Sequence, residues 1–304
     1  MNRALWRKAI REARLQLIVS SVLLVLFGWL LVWLMSLIPI LTIRDLLTKL
    51  PEGMNRFMEA AAGVPVDQIT TSAGRLSILY VHVITTLVCI GWAVGRGSDV
   101  VSGEITRGTM DLLLALPIRR VEVVLVSAVV AAIGAMVLAV SVWVGTWIGL
   151  ATTNPPAEVD PTKLLPAAAM LLPIAQSPAP PEPVSIAIFW PGVLNLAAMT
   201  FCLAGLTALL SSWDRVRWRT IWLAGGLFIV SFAVKMVARM WPPGDWMKYL
   251  SFLTAFEPQR LILIHNDATR GLAWQYDGIL LAIGLAGYAA AAVVFTRRDI
   301  PAAH

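Results

Sequence analysis

The hydrophobic and polar positions of this chain are arranged in long blocks rather than in short periods. Apolar runs of about twenty residues or more, long enough to cross a roughly 30 Å hydrocarbon layer as α-helices, alternate with segments that carry most of the charge. The pattern therefore predicts an all-α polytopic membrane protein with six transmembrane helices. The predicted spans are residues 17–39, 78–96, 121–150, 186–212, 220–240 and 277–296.

The composition points to the same class of protein. Hydrophobic residues make up 58% of the chain and charged residues only 14%, whereas a soluble domain has roughly 25% charged residues. The net charge is +6, but the cations cluster beside the apolar runs, as membrane topology requires, so nucleic acid is not an expected partner. Cys89 and Cys202 lie inside apolar runs, where we expect them to fill packing space.

The segments between the spans differ in character. Residues 1–16 carry basic side chains on one side and apolar ones at helical spacing on the other, which is typical of an amphipathic helix in the membrane interface. Residues 42–77, 151–185 and 241–276 are predicted to lie on the extracytoplasmic side. The second of these is rich in proline, which prevents one continuous helix, and the third is rich in aromatic residues, as expected at a membrane interface.

The distribution of basic residues predicts the orientation. Lysine and arginine are concentrated in short stretches beside the spans at both chain ends, at 96–120 and at 215–219, whereas the other segments dilute them over greater length. The positive-inside rule counts such short stretches. We therefore expect an integral protein of a bacterial inner membrane with its N- and C-termini in the cytoplasm.

Residues 98–116 are the only long stretch between two spans that combines charge, glycine and amphipathic spacing. Ser98 or Asp99 can cap a helix start, because the side-chain oxygen accepts from an unpaired backbone N–H group. Three apolar positions then share one helical face, and charged residues keep the remaining surface polar. Those apolar positions are Val101, Ile105 and Leu112.

The sequence EITRGTMDLLLALP at residues 104–117 resembles the cytoplasmic segment of ABC-2 type transporter permeases. In that family a Glu, an Arg-Gly-Thr triplet, a leucine cluster and a Pro lie between the second and third spans. The order of elements along the whole chain is similar as well. Residues 247–262, within the segment 241–276, resemble the outer loop of many of these permeases, which implies a broken helix that re-enters the membrane before the last span. The matching residues are Glu104, Arg107, Gly108, Thr109, Leu113, Leu114 and Pro117.

The resemblance implies a partner and a role for this stretch. Residues 98–116 would be the coupling helix that binds an ATP-binding-cassette ATPase subunit, and the helix at 1–16 would be the elbow helix. A second permease copy would complete the membrane unit, and ATP and magnesium would be bound by the ATPase. The expected docking residues are Asp99, Glu104, Arg107, Gly108 and Asp111. The residues expected to pack against the spans are Val101, Ile105 and Leu112.

Other functions lack their characteristic residues. The phosphate-binding pattern Gly-x-x-x-x-Gly-Lys-Ser/Thr is absent, and no catalytic or metal-binding constellation is predicted, so the chain is not expected to be an enzyme. The apolar runs contain almost no carboxylates, which disfavours a secondary transporter or a membrane enzyme. The polar residues Asn195, Lys235 and Arg239 are candidates for contact with a pathway, another helix or anionic lipid.

Two functions fit these features. The first is the permease subunit of an ATP-binding-cassette exporter, which couples ATP hydrolysis on a separate subunit to movement of a substrate across the membrane. The second is a mechanotransmitting membrane subunit that passes ATP-driven motion to an extracytoplasmic partner without moving a solute. The long segments at 42–77 and 241–276 leave room for such a partner.

Overall fold

The computed structural model contains six helices that are long and apolar enough to cross a membrane. It describes residues 3–37, 49, 51–69, 71–110, 119–153, 184–263 and 267–298, and none of these is in a β-strand. The predicted all-α polytopic class with six spans is therefore confirmed. The six candidate spans are Arg3–Leu37, Ser72–Thr106, Arg120–Thr152, Ile186–Trp213, Arg217–Met240 and Gly271–Arg297.

The helices are numbered here in chain order. The α-helices are α1 (Arg3–Leu37), α2 (Glu52–Ala62), α3 (Val66–Ile69), α4 (Ser72–Ser77), α5 (Val83–Ser98), α6 (Glu104–Thr106), α7 (Arg120–Thr152), α8 (Trp190–Trp213), α9 (Arg217–Met240), α10 (Pro258–Leu263) and α11 (Asp267–Arg297). A π-helical turn covers Asp99–Gly103, and 3-10 helices cover Ile78–Tyr80, Ile186–Phe189, Pro242–Leu250 and Phe252–Ala255. The stretch between α9 and α11 is thus a series of short helical pieces.

The first span differs from its predicted layout. The sequence divides residues 1–16, an interfacial helix, from residues 17–39, a span, but α1 is one unbroken helix of 35 residues. At a rise of 1.5 Å per residue it is about 52 Å long, well beyond a roughly 30 Å hydrocarbon layer. The predicted division is therefore not observed: no proline or glycine interrupts the helix there, and Leu5 and Ala13 anchor its otherwise largely exposed N-terminal part to the bundle.

The second span also runs further than predicted. Ser98 has helical dihedral angles, φ −69° and ψ −24°, and its side chain caps no helix. The hydroxyl of Ser98 instead donates to the carbonyl of Gly95, and the chain continues through the π-helical turn to Thr106. The predicted helix start at Ser98 or Asp99 is therefore wrong. The remainder of the predicted coupling helix, from Asp111 onward and including Leu112, lies outside the described residues.

The fourth span, α8, is the centre of the bundle. In the most apolar 18-residue stretch of this span, 78% is buried inside the protein, compared with 28% for the corresponding stretch of α9. It packs most extensively against α11, where glycines let the two backbones approach. A Cβ atom on Gly287 would lie 2.6 Å from the carbonyl carbon of Gly205, and one on Gly284 would lie 3.0 Å from Cys202 Cα.

The remaining spans surround this pair. Helices α1 and α7 pack closely because Gly28 and Gly145 face each other, so that a Cβ on Gly28 would lie 3.1 Å from Gly145 Cα. Trp92 of α5 is fully buried and donates from Nε1 to the carbonyl of Ala131, 3.2 Å away. Helix α9 is peripheral and exposes large apolar side chains along much of its length, as a lipid-facing helix does.

Polar contacts divide the bundle into two ends. At the end that contains both Arg3 and Arg297, which we call the terminal end, Arg120 donates to the carbonyls of Phe295 and Arg298. At the other, which we call the opposite end, Trp29 of α1 donates to Thr152 of α7. The first and last spans therefore point in opposite directions, as six membrane crossings require.

Candidate functional site

A cluster of charged residues joins three helices at the terminal end. We call it the charged cluster; it has two carboxylates surrounded by four cations. Its members come from α1, from the end of α5 and the residues that follow it as far as Arg107, and from the start of α9. They are Lys8, Arg96, Asp99, Glu104, Arg107 and Arg217.

Glu104 connects α1 to the end of the second span. Its Oε2 atom lies 2.5 Å from Lys8 Nζ and accepts a hydrogen bond of 2.6 Å from the hydroxyl of Thr109. Its Oε1 atom lies 2.7 Å from Arg107 Nη2. Only 6% of the side chain is exposed, so these partners replace most of its hydration. The bond to Lys8 explains why the N-terminal part of α1 stays on the bundle.

Asp99 connects the same region to α9. Its Oδ1 atom accepts from Arg107 at 2.9 Å and lies 3.1 Å from Arg217 Nη2, and its Oδ2 atom accepts from Arg96 at 2.8 Å. Arg107 bonds to both carboxylates and is therefore shared between the two halves of the cluster. Burial alone would lower the pKa of the Arg107 guanidinium, but its bonds to Asp99 and Glu104 outweigh that effect and raise the pKa above its usual value.

A buried set of hydroxyl groups holds the π-helical turn in place. A π turn shifts the helical hydrogen bonding, and side chains can then satisfy the displaced groups. The hydroxyl of Ser211 in α8 accepts from the N–H groups of Val101, at 3.2 Å, and Ser102, at 2.9 Å. The hydroxyl of Ser102 also lies 3.1 Å from that of Thr220 in α9. The turn is thus fixed to two spans at once.

Helix α6 ends in a turn at Arg107 and Gly108. Gly108 has a positive φ of 69°, which glycine adopts without strain, and it is exposed, with no atom of the described residues near the position of a Cβ. Ile105 packs partly buried against the core, and Val101 is fully buried there. The exposed Gly108 makes this turn accessible to a partner, beside the partly exposed side chains of Lys8, Arg107 and Arg217.

The structure thus gives different surroundings to the predicted docking residues. Asp99 and Glu104 are mostly buried and bonded within the chain, Arg107 is about one-third exposed, and Gly108 is open. Asp111 lies outside the described residues. Contact of any of them with a partner stays a prediction.

Three members of these networks are not evident from the sequence. Lys8 and Arg217 resemble other membrane-edge cations, and Ser211 resembles an ordinary small residue in a span. The sequence offers one indication of these partners. Two carboxylates, Asp99 and Glu104, directly follow a span, and carboxylates that become buried require cationic partners.

At the opposite end, Asn195, Lys235 and Arg239 converge on one buried residue that sequence reasoning missed, Glu257. The N–H group of Glu257 donates to Asn195 Oδ1 at 2.9 Å. Its Oε1 atom pairs with Lys235 at 2.9 Å and also with Arg239. The Lys235 side chain is only 8% exposed, so its ammonium group is held inside the protein and does not reach the lipid interface.

A second carboxylate lies beside this set. Asp277 of α11 is buried and accepts from Asn195 Nδ2 at 2.8 Å. Asp277 is the first residue of the predicted sixth span, and the structure places it inside the longer helix α11 rather than at a helix start. Both carboxylates lie toward the opposite end rather than at the middle of the bundle.

A family model described as ABC-2 family transporter protein matches residues 6–300, which include nearly the whole chain and all six spans. No curated protein and no solved structure matches the chain.

Proposed function

Because this chain belongs to the ABC-2 family of transporter proteins, we propose that it is the permease subunit of an ATP-binding-cassette exporter. A separate ATPase subunit binds at the terminal end, which lies in the cytoplasm. That subunit holds ATP and magnesium, and this chain binds no cofactor and catalyses no reaction. The observation that carries the proposal is the charged cluster, which joins three helices beside an exposed turn.

The charged cluster connects the turn at Arg107 and Gly108 to helices α1 and α9 through ion pairs. Arg107, in the turn, bonds to both carboxylates. Through Glu104 the turn is connected to α1, and through Asp99 it is connected to α9. A force applied at the turn is therefore transmitted to three spans rather than one. The ATPase performs work on them only if it binds two arrangements of the spans with different affinities.

The charge distribution supports a cytoplasmic terminal end. The N-terminal part of α1 exposes four arginines, and the positive-inside rule places such residues in the cytoplasm. At the opposite end, Lys235 and Arg239 are paired with Glu257 and add little net positive charge. The exposed arginines are Arg3, Arg7, Arg11 and Arg14.

A second permease copy, identical or related, is the proposed partner within the membrane. The spans of one chain pack closely around α8, which leaves little space for a substrate between them. A pathway is therefore proposed to form between two copies. The exposed apolar faces of α1 and α9, including Leu26 and Trp222, then contact lipid or that second copy.

Binding of the ATPase is tested at Gly108 with two variants that both place a side chain at a positive φ and that differ in bulk. Asparagine tolerates a positive φ better than other residues that carry a side chain, so Gly108→Asn is expected to keep the partner. Gly108→Trp places a large side chain in open space on the docking surface and is expected to lower the affinity by about tenfold or more, since about 1.4 kcal/mol suffices for that change. Affinity is measured by co-purification and titration with the candidate ATP-binding-cassette subunits of the same organism.

A bulk control on the other side of the bundle completes the design. Gly53 of α2 also has no neighbour near a Cβ position, so Gly53→Trp is expected to bind the ATPase as the unmodified chain does. Equal affinity of the Gly108→Trp and Gly108→Asn variants would show that the turn is not the docking surface. Failure of the unmodified chain to bind any ATP-binding-cassette subunit would refute the proposed function itself.

A further inference from the structure

Buried polar groups from four elements meet at the opposite end of the bundle. They are Asn195 of α8, Lys235 and Arg239 of α9, Glu257 between the short helices, and Asp277 of α11. Glu257 has bonds to three of the other four, so it is the centre of the set. Such groups are costly to bury unless they bond to one another.

The stretch that contains Glu257 has little regular structure to hold it. It lies between the 3-10 helix Phe252–Ala255 and the six-residue helix α10. Side chains of the spans satisfy its backbone instead: the carbonyl of Ala255 accepts from Asn195 at 3.0 Å, and that of Phe256 accepts from Lys235 at 2.6 Å. The position of this stretch therefore depends on the polar set around Glu257.

The same set also fixes α2. Arg239 donates to the carbonyl of Ala60 as well as to Glu257. Gly63, which ends α2 with a positive φ of 75°, covers the carboxylate, and a Cβ there would lie 3.0 Å from Arg239 Nη2. Two outer segments that are distant in sequence thus share one attachment point on α9.

Helix α9 is bound by polar contacts at both ends and loosely packed between them. At the terminal end, Arg217 bonds to Asp99 and Thr220 contacts Ser102. At the opposite end Lys235 and Arg239 pair with Glu257, and the carbonyl of Ser231 accepts from the hydroxyl of Ser251. In between, Gly225 and Gly226 have no neighbour near a Cβ position, and most surrounding side chains are exposed. A movement of the π-helical turn therefore acts on α9 at one end and on Glu257 at the other.

We propose that Glu257 is a positioning residue that holds residues 252–263 to α9, so that the opposite end of the bundle opens and closes with the movement of α9. The proposal rests on the proposed function for the source of that movement. The holding role of Glu257 itself does not depend on the ATPase, and the two parts are tested separately.

The holding role is tested on the purified chain alone by amide hydrogen exchange. Glu257→Gln removes the charge that Lys235 and Arg239 share, and exchange of residues 252–263 is expected to become about tenfold faster, because charge-assisted bonds hold the stretch in place. Asp245→Asn is the matched control, since Asp245 pairs with Lys248 in the same region but on the surface. The control is expected to leave exchange unchanged. Equal exchange in both variants would overturn the proposal.

Coupling to α9 is tested with the ATPase-bound complex. In the unmodified complex, ATP is expected to change the exchange of residues 252–263. In Glu257→Gln the exchange is expected to be fast with and without ATP, whereas Asp245→Asn is expected to keep the ATP-dependent change. An ATP-dependent change that persists in Glu257→Gln would overturn the proposal. Absence of the change in the unmodified complex would refute the coupling but leave the first experiment valid.

A second variant covers the case in which Glu257→Gln is not recovered folded. Arg239→Gln leaves the contact between Lys235 and Glu257 intact and removes only a partly exposed partner. Exchange of residues 252–263 is expected to become faster, but by a smaller factor than in Glu257→Gln. Exchange of α2 is expected to become faster as well, because the bond from Arg239 to Ala60 is lost. Unchanged exchange in both regions would contradict the proposal.

Discussion

Replacing Glu104 by glutamine is expected to lower the free energy of unfolding by about 2 to 3 kcal/mol, because a buried carboxylate loses its charged bonds to Lys8 and Arg107. The loss of stability is smaller than for a fully buried ion pair, because Lys8 and Arg107 are each about one-third exposed and can be hydrated once the carboxylate is removed. The bond to Lys8 attaches the N-terminal part of α1, so faster amide exchange is expected in that part as well. Denaturant titration in detergent measures the change in stability.

The control for this prediction uses the same lysine. Glu12 lies 3.9 Å from Lys8 on the exposed side of α1, and exposed pairs of this type contribute only about 0.2 to 1 kcal/mol. Glu12→Gln is therefore expected to change stability very little. If the Glu104 and Glu12 variants were equally stable, the charged cluster would not hold α1 to the second span.

Replacing Gly205 by leucine is expected to abolish folding of the membrane bundle. A side chain at this position would enter the backbone of Gly284 in α11, and backbone cannot move aside as a flexible side chain can. The two helices would have to separate along their most extensive contact, at a cost of about 3 kcal/mol or more. The measurement is the yield of monodisperse protein after extraction in detergent.

A glycine on α9 supplies the control. Gly226 is exposed and has no neighbour near a Cβ position, so Gly226→Leu is expected to fold normally and to gain up to about 1 kcal/mol from its higher helix propensity. Normal yield of Gly205→Leu would contradict the close packing of α8 against α11.

The spans were predictable because membrane crossing depends on local composition. A run of apolar residues must become a helix in lipid wherever it lies in the fold, and all six runs do so. The ends of the helices depend on partners that are distant in sequence. Asp99 and Glu104 look like solvent-exposed residues in a helix that starts at Ser98, but Lys8 and Arg217 make their burial possible.

Glu257 illustrates the same limit at the opposite end. It lies in a segment of short apolar and polar pieces with no strong periodicity, and nothing in its neighbours marks it. Asn195, Lys235 and Arg239 are unusual residues inside spans, and their need for polar partners is the one indication in the sequence that a buried carboxylate lies nearby. Which carboxylate meets Lys235 and Arg239 is decided by the path of the chain between α9 and α11, which hydropathy does not specify.

Sided labelling of a Gly108→Cys variant tests most directly whether the exposed turn at the terminal end faces the cytoplasm and binds the ATPase. The native Cys89 and Cys202 are buried and contribute little background. A membrane-impermeant maleimide is expected to label the variant in inverted membrane vesicles only, and bound ATPase subunit is expected to slow the reaction. Labelling in right-side-out vesicles, or a rate unaffected by the ATPase, would contradict a cytoplasmic docking surface.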